Sequence, residues 1–477
     1  MADHSTQWQG ITSDSEILST VSGLPLKLLE EPLDGNSFQY AFGKDEHNFV
    51  SLELVRLLEK RVIAVSTDEP GQIISPIFVR PKTDGGFRLI LNLKKLNEVV
   101  HYQHFKMETL QSILQLVRPN AYMAKVDIKD AYYSVAIKSS DQKFLKFKFG
   151  SVLYKFLVLP NGYTDGPRSF TKLLKPPLAT LRLEHITLAS YIDDIFTIDK
   201  SKERCLDNVF RIVQQFQSLG FVIHPDKSNF LPDTSIEFLG FIIDSVTMTV
   251  TLTLDKKEKL REFCAMMLTK KLVSIRQIAS LLGKFTSSLL SVPAGRLHFR
   301  ALDKLKCEAL RIHKGNFDKY VKLTDEAMQD IKWWHDGVMS SFAPICRQNT
   351  SLTMSTDASL SGWGACLDTG TRTGGFFSVE EKIHHINVLE CKAVLFGLKS
   401  LYRDVYGQHI KVLVDNSATV GGINKMGSSK SREMNEQIKT VWNWILSRNN
   451  WITAAHIPGI DNTAADQESR RTSTSAE

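Results

Sequence analysis

Two adjacent aspartates interrupt a segment that is otherwise apolar. Asp193 and Asp194 lie within residues 188–198, and the residues on both sides are β-branched or aromatic, which is typical of short β-strands. Burying two carboxylates side by side is costly unless a positive charge pairs with them. A divalent metal ion could supply that charge, because it prefers oxygen ligands. The alternative is an ordinary hairpin with aspartates in its turn, where this residue type is common.

A third carboxylate favours the metal site. Residues 121–128 are also typical of a strand, and Asp127 lies near the end of this segment. Strands that bring three carboxylates to one point can hold two metal ions, which bind the attacking and leaving oxygens of a phosphoryl transfer. With Asp127 and the Tyr-x-Asp-Asp sequence of residues 191–194, the chain resembles the palm of a reverse transcriptase. The resemblance implies that these three aspartates are catalytic and bind two Mg²⁺ ions, with Mn²⁺ as a substitute.

The resemblance extends to residues that would bind the nucleotide. Residues 77–90 predict a β-hairpin with an Asp-Gly turn, and the resemblance implies that Lys82 and Arg88 grip the incoming triphosphate. Alone, this segment would be interpreted as a solvated basic hairpin. Tyr132 follows Asp127 by five residues, where the family places an aromatic ring that excludes a ribose 2′-hydroxyl. Alone, Tyr132 would be interpreted as a core aromatic.

Three further motifs follow in the order of the family. Residues 159–170 resemble the segment that packs against the template and the nascent base pair, which makes Asn161 and Gly162 candidates for substrate binding. Asn161 departs from the pattern, because relatives usually carry Gln or Phe there. Residues 224–228 resemble the motif whose lysine, here Lys227, protonates the pyrophosphate leaving group; alone, Lys227 would be a surface lysine after a turn. Residues 237–240 resemble the primer-grip hairpin.

The C-terminal part carries a second set of acids. Residues 351–359 predict a half-buried strand, residues 387–398 a helix with an inward-facing carboxylate, and residues 411–415 a strand that ends in an acid. A further helix is expected to start near residues 462–466. In this order the acids resemble the metal-binding set of ribonuclease H, which implies a second pair of Mg²⁺ ions. These acids are Asp357, Glu390, Asp415 and Asp466. Each one alone would be interpreted as a solvated surface group.

Two neighbouring segments bear on this second site. His456 matches the histidine that ribonuclease H uses in product release or proton transfer, and residues 456–462 have the form seen in retrotransposons. Residues 367–370 look like the active-site triplet of a retroviral aspartic protease. Because Asp368 lies eleven residues after Asp357, this segment is instead predicted to form the turn between the first two strands of ribonuclease H.

Positive charge is concentrated in residues 255–314, which contain fourteen Lys or Arg against five Asp or Glu. The segment predicts successive helices, one of them capped by Ser274. Its position after the palm favours a thumb that grips the primer–template duplex, although a solvated basic face is the alternative. The side chains expected to contact phosphates are Lys284, Arg296, Arg300, Lys304 and Lys306.

Composition limits the other classes. The 477 residues, 43% of them hydrophobic, are enough for two to four globular units. The six cysteines include no Cys-x-x-Cys pair, so neither a zinc site nor a disulfide framework is indicated. We expect an intracellular protein, because no signal segment is recognised at the start. No apolar run approaches membrane-spanning length, so no membrane partner is expected.

The fold class implied by the resemblance is α+β. A right-hand polymerase with fingers, palm and helical thumb would be followed by a ribonuclease H-like α/β domain with a mixed sheet. We predict an N-terminal extension, fingers and palm, a helical thumb and connection, a ribonuclease H domain and a disordered tail. Their ranges are 1–60, 61–253, 254–346, 350–471 and 472–477, with a polar boundary at 347–351. Trp8, residues 295–302 and Trp333-Trp334 look most like DIRS-type retrotransposons.

The expected function is that of an RNA-directed DNA polymerase that also cleaves RNA in RNA–DNA hybrids and copies a retroelement RNA into DNA. Expected partners are an RNA template, a DNA primer, the hybrid and dNTPs, with a capsid-like protein and a recombinase of the same element. One alternative is a DNA-templated polymerase, which a fused hybrid nuclease argues against. The other is a domesticated, catalytically idle nucleic-acid-binding protein, which two complete acidic sets argue against.

Overall fold

The structure is a computed structural model that describes residues 1–30, 35–36, 39–81, 86–346, 350, 352–428 and 431–471. The chain divides into two compact units. The first comprises Met1–Leu239 and Asp244–Thr247, and the second comprises Gly240–Ile243 and Met248–Glu477. Both units combine helices with sheets, as the α+β prediction requires.

The first unit contains helices α1 to α7 and strands β1 to β12, numbered in chain order. The helices are α1 (Ser5–Gln9), α2 (Ser15–Gly23), α3 (Lys44–Glu59), α4 (Lys94–Glu98), α5 (Leu110–Leu114), α6 (Gly166–Leu183) and α7 (Lys202–Ser218). The strands are β1 (Gly35–Asn36), β2 (Ile63–Ser66), β3 (Ile73–Ile74), β4 (Ile77–Pro81), β5 (Phe87–Leu91), β6 (Tyr122–Asp127), β7 (Lys146–Phe149), β8 (Val152–Phe156), β9 (Thr187–Tyr191), β10 (Asp194–Asp199), β11 (Asn229–Asp233) and β12 (Ser235–Phe238).

The N-terminal residues belong to the core of the first unit. The side chain of Trp8 is fully buried, and its indole N–H donates to the carbonyl of Leu219 at 3.1 Å. The Trp8 ring also meets the edge of Phe221, with 6.1 Å between ring centroids. Asp14 caps α2 by accepting from the backbone N–H groups of Glu16 and Ile17. The predicted extension therefore contributes packing to the fold that it precedes.

A sheet with the order β11-β6-β10-β9 lies at the centre of this unit. Strand β10 is antiparallel to both β6 and β9, so Asp194 lies opposite Asp127 on one side and opposite Tyr191 on the other. Helix α7 packs against β6, β10 and β11. It does so because its apolar residues recur at helical spacing and form one buried face. These residues are Cys205, Val209, Ile212 and Phe216.

Two further sheets, one of two strands and one of five, include strands from the segment predicted to form the fingers and palm. Strands β4 and β5 form the predicted antiparallel hairpin, with Ile77 opposite Leu91 and Arg80 opposite Arg88. The Asp-Gly turn of this hairpin and Lys82 lie outside the described residues. A second sheet has the order β1-β3-β7-β8-β2. In it, Lys146 is fully buried and forms an ion pair with Glu69 at 2.7 Å, which offsets the cost of burying the ammonium.

The second unit contains strands β13 to β22 and helices α8 to α15. Its strands are β13 (Phe241–Asp244, whose last residue belongs to the first unit), β14 (Thr249–Leu252), β15 (Val273–Ser274), β16 (Tyr320–Val321), β17 (Ala343–Pro344), β18 (Leu352–Ala358), β19 (Gly362–Leu367), β20 (Arg372–Phe376), β21 (His409–Val414) and β22 (Trp451–His456). Its helices are α8 (Leu254–Thr269), α9 (Ile275–Ser288), α10 (Arg300–Ile312), α11 (Asp325–Gly337), α12 (Ile386–Leu401), α13 (Ser417–Asn424), α14 (Arg432–Leu446) and α15 (Thr463–Ser469).

Helices α8 to α11 occupy the segment predicted to be a thumb and connection. Ser274 caps α9 as predicted. Its hydroxyl accepts from the backbone N–H of Gln277, and its own backbone N–H donates to the side-chain oxygen of Gln277. Trp334 of α11 stacks on Phe285 of α9 at 4.3 Å between ring centroids. Gly295 lies under the Trp334 ring so closely that a Cβ atom there would collide with it.

The C-terminal sheet is mixed, as predicted. Its order is β20-β19-β18-β21-β22, with antiparallel pairs from β20 to β18 and parallel pairs from β18 to β22. The prediction for residues 367–370 was right about a turn and wrong about its place. The turn joins β19 to β20, the second and third strands, and Gly370 has φ +94° there. Residues 359–361 already connect β18 to β19, so the first two strands are joined before this turn.

Contacts within the second unit join the helical segment to the C-terminal sheet and its helices. Leu297 lies in the same apolar cluster as Val412 and Trp442. The Arg300 guanidinium lies 3.5 Å from the Lys425 carbonyl, and Lys439 of α14 lies 3.5 Å from the buried Asp330 of α11. Most of the boundary at 347–351, and the tail at 472–477, lie outside the described residues. Within the described ranges, no helix has the length and apolar character needed to cross a membrane.

Candidate active sites

The first acidic site forms where β6 ends and β9 turns into β10. The pairing of Asp194 with Asp127 brings two carboxylates face to face, and the N–H of Ile128 donates to the Asp193 carbonyl at 2.9 Å. Ile192 adopts φ +54° in the turn, a conformation that is unfavourable for a β-branched residue. Strain of this kind is stored where the surrounding structure imposes it, and here the two flanking strand pairings do so.

Burial makes two carboxylates of this site, Asp127 and Asp193, harder to ionise. It raises the pKa of Asp127, and the neighbouring Asp194 raises it further, while Lys227 and Lys125 act in the opposite direction. Burial also raises the pKa of Asp193, again opposed by Lys227. A divalent cation would remove this penalty, so the donor set fits the Mg²⁺ implied by the sequence resemblance. Asp127, Asp193 and Asp194 are the residues that would hold it.

Lys227 reaches this site because its loop is fastened to β6. The N–H of His224 donates to the Asp127 carbonyl at 2.8 Å, and the N–H of Asp127 donates to the Ser228 hydroxyl at 3.0 Å. That hydroxyl in turn donates to the His224 carbonyl at 2.6 Å. The role of Ser228 was not predicted from the sequence, although its place directly after the lysine was visible.

The nucleotide-binding candidates lie on different elements. Tyr132 is in a short 3₁₀ turn, Ala131–Ser134, and packs edge-on against Phe170 at 5.5 Å between ring centroids. Its pKa is raised to about 12, first by burial and then by the charge of Asp193, so its hydroxyl lies close to the first acidic site. Arg88 is exposed on β5. The placement of Lys82 is not described.

Asn161 and Gly162 lie in a turn that is held by a residue the sequence analysis missed. The side-chain amide of Asn97 donates to the Gly162 carbonyl at 2.9 Å, and its oxygen accepts from the N–H of Thr164 at 2.9 Å. Gly162 has φ +103°, which favours glycine at this position. It lines an open cavity of about 440 Å³ together with Phe78 and Ile90. Only a contact between distant segments could have identified Asn97.

The second acidic site is more tightly gathered. One carboxylate oxygen from each of Asp357, Glu390 and Asp415 lies within 4.8 Å of the others. Parallel pairing places Thr356 opposite Val414, so the acids that follow these residues emerge side by side. Helix α12 supplies Glu390 from its buried face. Among the described residues, the carboxylate oxygens of the three acids in the first site do not all lie within 4.8 Å of one another.

This gathering is electrostatically unfavourable without a cation. Burial, and then the charges of Asp357 and Asp415, raise the pKa of Glu390 to about 8. The Oε2 atom of Glu390 is buried and has no hydrogen-bond partner among the described residues. Asp357 also has a raised pKa because of burial, although the Ser469 hydroxyl donates to it at 2.6 Å. An orphaned carboxylate oxygen beside two further acids fits a divalent cation.

The remaining predicted residues surround this cluster. Asp466 of α15 forms an ion pair with Arg470 at 2.6 Å and lies outside the group of three. Gly364 allows α15 to pack directly on β19, because a Cβ atom there would contact the Ala465 carbonyl and lie 2.7 Å from the Ser469 nitrogen. His456 ends β22 opposite Val414, next to Asp415, and is exposed.

The predicted phosphate contacts differ in their surroundings. Lys284 and Arg296 are exposed. The others have partners within the second unit: Lys304 lies 3.8 Å from Glu308, Lys306 lies 2.7 Å from Asp303, and Arg300 approaches the Lys425 carbonyl. Arg300 is partly buried by this contact, which the sequence analysis did not anticipate. The role of all five side chains stays a prediction.

Comparisons with known proteins bear mainly on the first site. Residues 80–243 match the family described as reverse transcriptase (RNA-dependent DNA polymerase), and this range includes Asp127, Asp193 and Asp194. The transposon Tf2-3 polyprotein of Schizosaccharomyces pombe is 24% identical over 174 residues, which are 36% of this chain and 13% of the relative. The Tf2-7 polyprotein of the same organism is 23% identical over the same length. The match therefore takes in only a small part of these relatives.

Solved structures extend the similarity of fold to nearly the whole chain. The foamy viral protease-reverse transcriptase in complex with an RNA/DNA hybrid has a TM-score of 0.58 at 16% identity, covering 100% of this chain and 65% of that one. The complex of that protein with double-stranded DNA has a TM-score of 0.57 at 17% identity, covering 95% and 96%. Together, the comparisons show that residues 80–243 are similar to reverse transcriptases of retrotransposon or retroviral type, and that the fold of the chain resembles that of the foamy viral protein.

The raised pKa of Glu390 predicts an unusual effect of neutralising it. The unfolded carboxyl has a pKa near 4.5 and the folded one about 8, so wild-type stability is lost as pH rises through this window. In chelator at pH 8, Glu390→Gln should raise the melting temperature by roughly 5 °C, with a much smaller gain at pH 5. Scanning calorimetry measures this effect, with Glu436→Gln on the exposed face of α14 as control. A lower melting temperature than wild type at pH 8 would contradict the account.

Proposed function

We propose that the protein is an RNA-directed DNA polymerase that also cleaves the RNA strand of RNA–DNA hybrids, and that it copies a retroelement RNA into DNA. One observation carries the polymerase assignment: Asp127 and the Asp193-Asp194 turn meet on adjacent antiparallel strands inside the segment that matches the reverse transcriptase family. The reaction would join the 3′-hydroxyl of a primer to the α-phosphate of a dNTP and release pyrophosphate.

The polymerase residues would have different roles in this reaction, according to where each one lies in the site. Bound Mg²⁺ would activate the 3′-hydroxyl and neutralise charge on the triphosphate. Asp127, Asp193 and Asp194 orient the reacting groups from the ends of their strands. Lys227, whose charge acts on both Asp127 and Asp193, would donate the proton that pyrophosphate takes up. The Tyr132 ring would lie under the incoming sugar and exclude a 2′-hydroxyl.

The nuclease proposal rests on the second acidic site. Asp357, Glu390, Asp415 and Asp466 would hold Mg²⁺, which would supply an activated water for hydrolysis. The Ser469 hydroxyl donates to Asp357, and the Asn462 side-chain amide donates to the carbonyl of Thr356 on the same strand at 2.9 Å. His456 is exposed beside the cluster, where it would move a proton or assist release of the cut strand.

The proposed partners follow from the same chemistry. They are an RNA template, a DNA primer, the RNA–DNA hybrid and dNTPs, in an intracellular setting. The structural neighbours are complexes with an RNA/DNA hybrid and with double-stranded DNA, which supports nucleic-acid binding. A capsid-like protein and a recombinase of the same element are further proposed partners. Residues 295–302 and Trp333-Trp334 favour a DIRS-type element, since this pattern is the one that resembles that lineage.

The two activities should be separable. Asp193→Asn should abolish primer extension and leave hybrid cleavage, because the two acidic sets lie in different units. Asp415→Asn should do the reverse, and each loss should be at least about 100-fold. Gel assays on one labelled hybrid measure both activities, with the exposed Asp207→Asn and Asp368→Asn as matched controls. Extension by folded Asp193→Asn protein would refute the polymerase assignment, and undiminished cleavage by Asp415→Asn would refute the nuclease assignment. An idle nucleic-acid-binding protein would bind the hybrid and show neither activity.

Tyr132 should control the choice of sugar. Tyr132→Val removes the ring while leaving the metal ligands in place, so ribonucleotide incorporation should rise by about one to three orders of magnitude. Deoxynucleotide use should change less. The ratio of kcat/KM for matched deoxynucleotides and ribonucleotides measures the effect, and Tyr132→Phe should keep the wild-type ratio because it retains the ring. An unchanged ratio in Tyr132→Val would make Tyr132 a packing residue only.

A further inference from the structure

An ammonium group occupies the first acidic site. Lys125 precedes Asp127 by two residues on β6, so the two side chains leave the same face of the strand. Antiparallel pairing sets Asp194 opposite Asp127 and Phe196 opposite Lys125. The Lys125 Nζ atom lies 2.8 Å from Oδ1 of Asp194, and both side chains are less than a fifth exposed, at 18% and 16%. Asp194 therefore has a cationic partner without any metal ion.

This contact is an ion pair rather than an aligned hydrogen bond. The same Oδ1 atom is buried and accepts no hydrogen bond from the part of the chain that the structure describes. The ammonium thus neutralises Asp194 without a hydrogen bond that would fix the orientation of the carboxylate. Its Oδ1 atom can therefore still bind a cation of higher charge. A divalent ion is such a cation, because it carries twice the charge and binds carboxylate oxygens directly.

The two acidic sites differ in how the negative charge of their carboxylates is balanced. In the second site, three acids gather within 4.8 Å and leave an orphaned oxygen on Glu390. In the first site, strand pairing sets Asp127 and Asp194 face to face, yet among the described residues the three acids do not gather to that distance. In the first site, the Lys125 ammonium lies against Asp194 and balances its charge.

We propose that Lys125 is a positioning residue that competes with divalent metal ions for Asp194. In the metal-free protein the ammonium holds the carboxylate; metal binding opens the ion pair and lets Asp194 join Asp127. Lys125 thereby stabilises the empty site and keeps its metal affinity low. This inference rests on the proposed function, since it treats the site as a metal centre, and it concerns a lysine that contacts neither the primer nor the nucleotide in the mechanism above.

The first test measures metal affinity. Mn²⁺ is titrated into the full chain without nucleic acid, free Mn²⁺ is followed by electron paramagnetic resonance, and Asp127→Asn identifies the component due to this site. Lys125→Met should bind Mn²⁺ about threefold to tenfold more tightly there, because no ion pair has to open. Lys125→Arg should restore the wild-type affinity. Lys129→Met is the matched control, since it removes the same charge from an exposed position two residues beyond Asp127.

The outcomes separate this proposal from the proposed function. Equal Mn²⁺ affinity in wild type and Lys125→Met, or no component that depends on Asp127 in either protein, would overturn the role of Lys125. A failure of the polymerase proposal would instead appear as absent primer extension by wild type. Intact extension with unchanged affinity in Lys125→Met would leave the polymerase assignment standing and remove only this inference.

A second test needs no substitution and applies even if Lys125→Met does not fold. The wild-type chain is acetylated briefly with and without Mg²⁺, and the modification of each lysine is quantified by mass spectrometry. Lys125 should become severalfold more reactive with Mg²⁺, because its ammonium is released from Asp194, while the exposed Lys129 should not change. Equal reactivity of Lys125 in both conditions would overturn the proposal.

Discussion

Both candidate sites depend on holding carboxylates together in buried or partly buried positions. Burial raises the pKa values of Asp127, Asp193 and Glu390, and the like charges beside these carboxylates raise them further. Such a site persists only if the surrounding fold imposes it and a cation relieves it. The backbone of each unit provides the first condition, and the proposed Mg²⁺ ions would provide the second.

The two units impose this proximity by different means. In the first, two antiparallel pairings on β10 fix the positions of Asp127 and Asp194, and Ser228 ties the loop of Lys227 to β6. In the second, parallel pairing of β18 with β21 aligns two acids, and a buried helix face adds the third. The strand pairings join segments far apart in sequence and form only when each unit folds. The folding free energy of the whole unit therefore offsets the repulsion within its acidic cluster. The repulsion between neighbouring carboxylates is thus met differently in the two sites. In the first, the Lys125 ammonium lies against Asp194; in the second, a carboxylate oxygen of Glu390 is left without a partner among the described residues.

Much of the fold and of both sites could be predicted because it follows from local pattern. Strand β6 ends at Asp127 and helix α12 carries Glu390 inward as expected, since periods of two and 3.6 residues reveal which face is buried. The turn at residues 367–370 was recognised from its residues but placed between the wrong strands, because its position was inferred from its distance to Asp357 although residues 359–361 already join β18 to β19. Asn97 and the contact of Arg300 with Lys425 were not predictable, because they join segments far apart in sequence. The sequence shows that Lys125 lies two residues before Asp127. Its ion pair with Asp194 could not be predicted, because it depends on the register between β6 and β10.

The central claim is that the first acidic site catalyses template-directed DNA synthesis with divalent metal ions. The most direct measurement is extension of a labelled oligo(dT) primer on a poly(rA) template by the wild-type chain, with Mg²⁺ or with a chelator. The account predicts dTTP-dependent extension to the end of the template with Mg²⁺ and none with the chelator. Tight binding of the primer–template without any extension, in Mg²⁺ or in Mn²⁺, would contradict it.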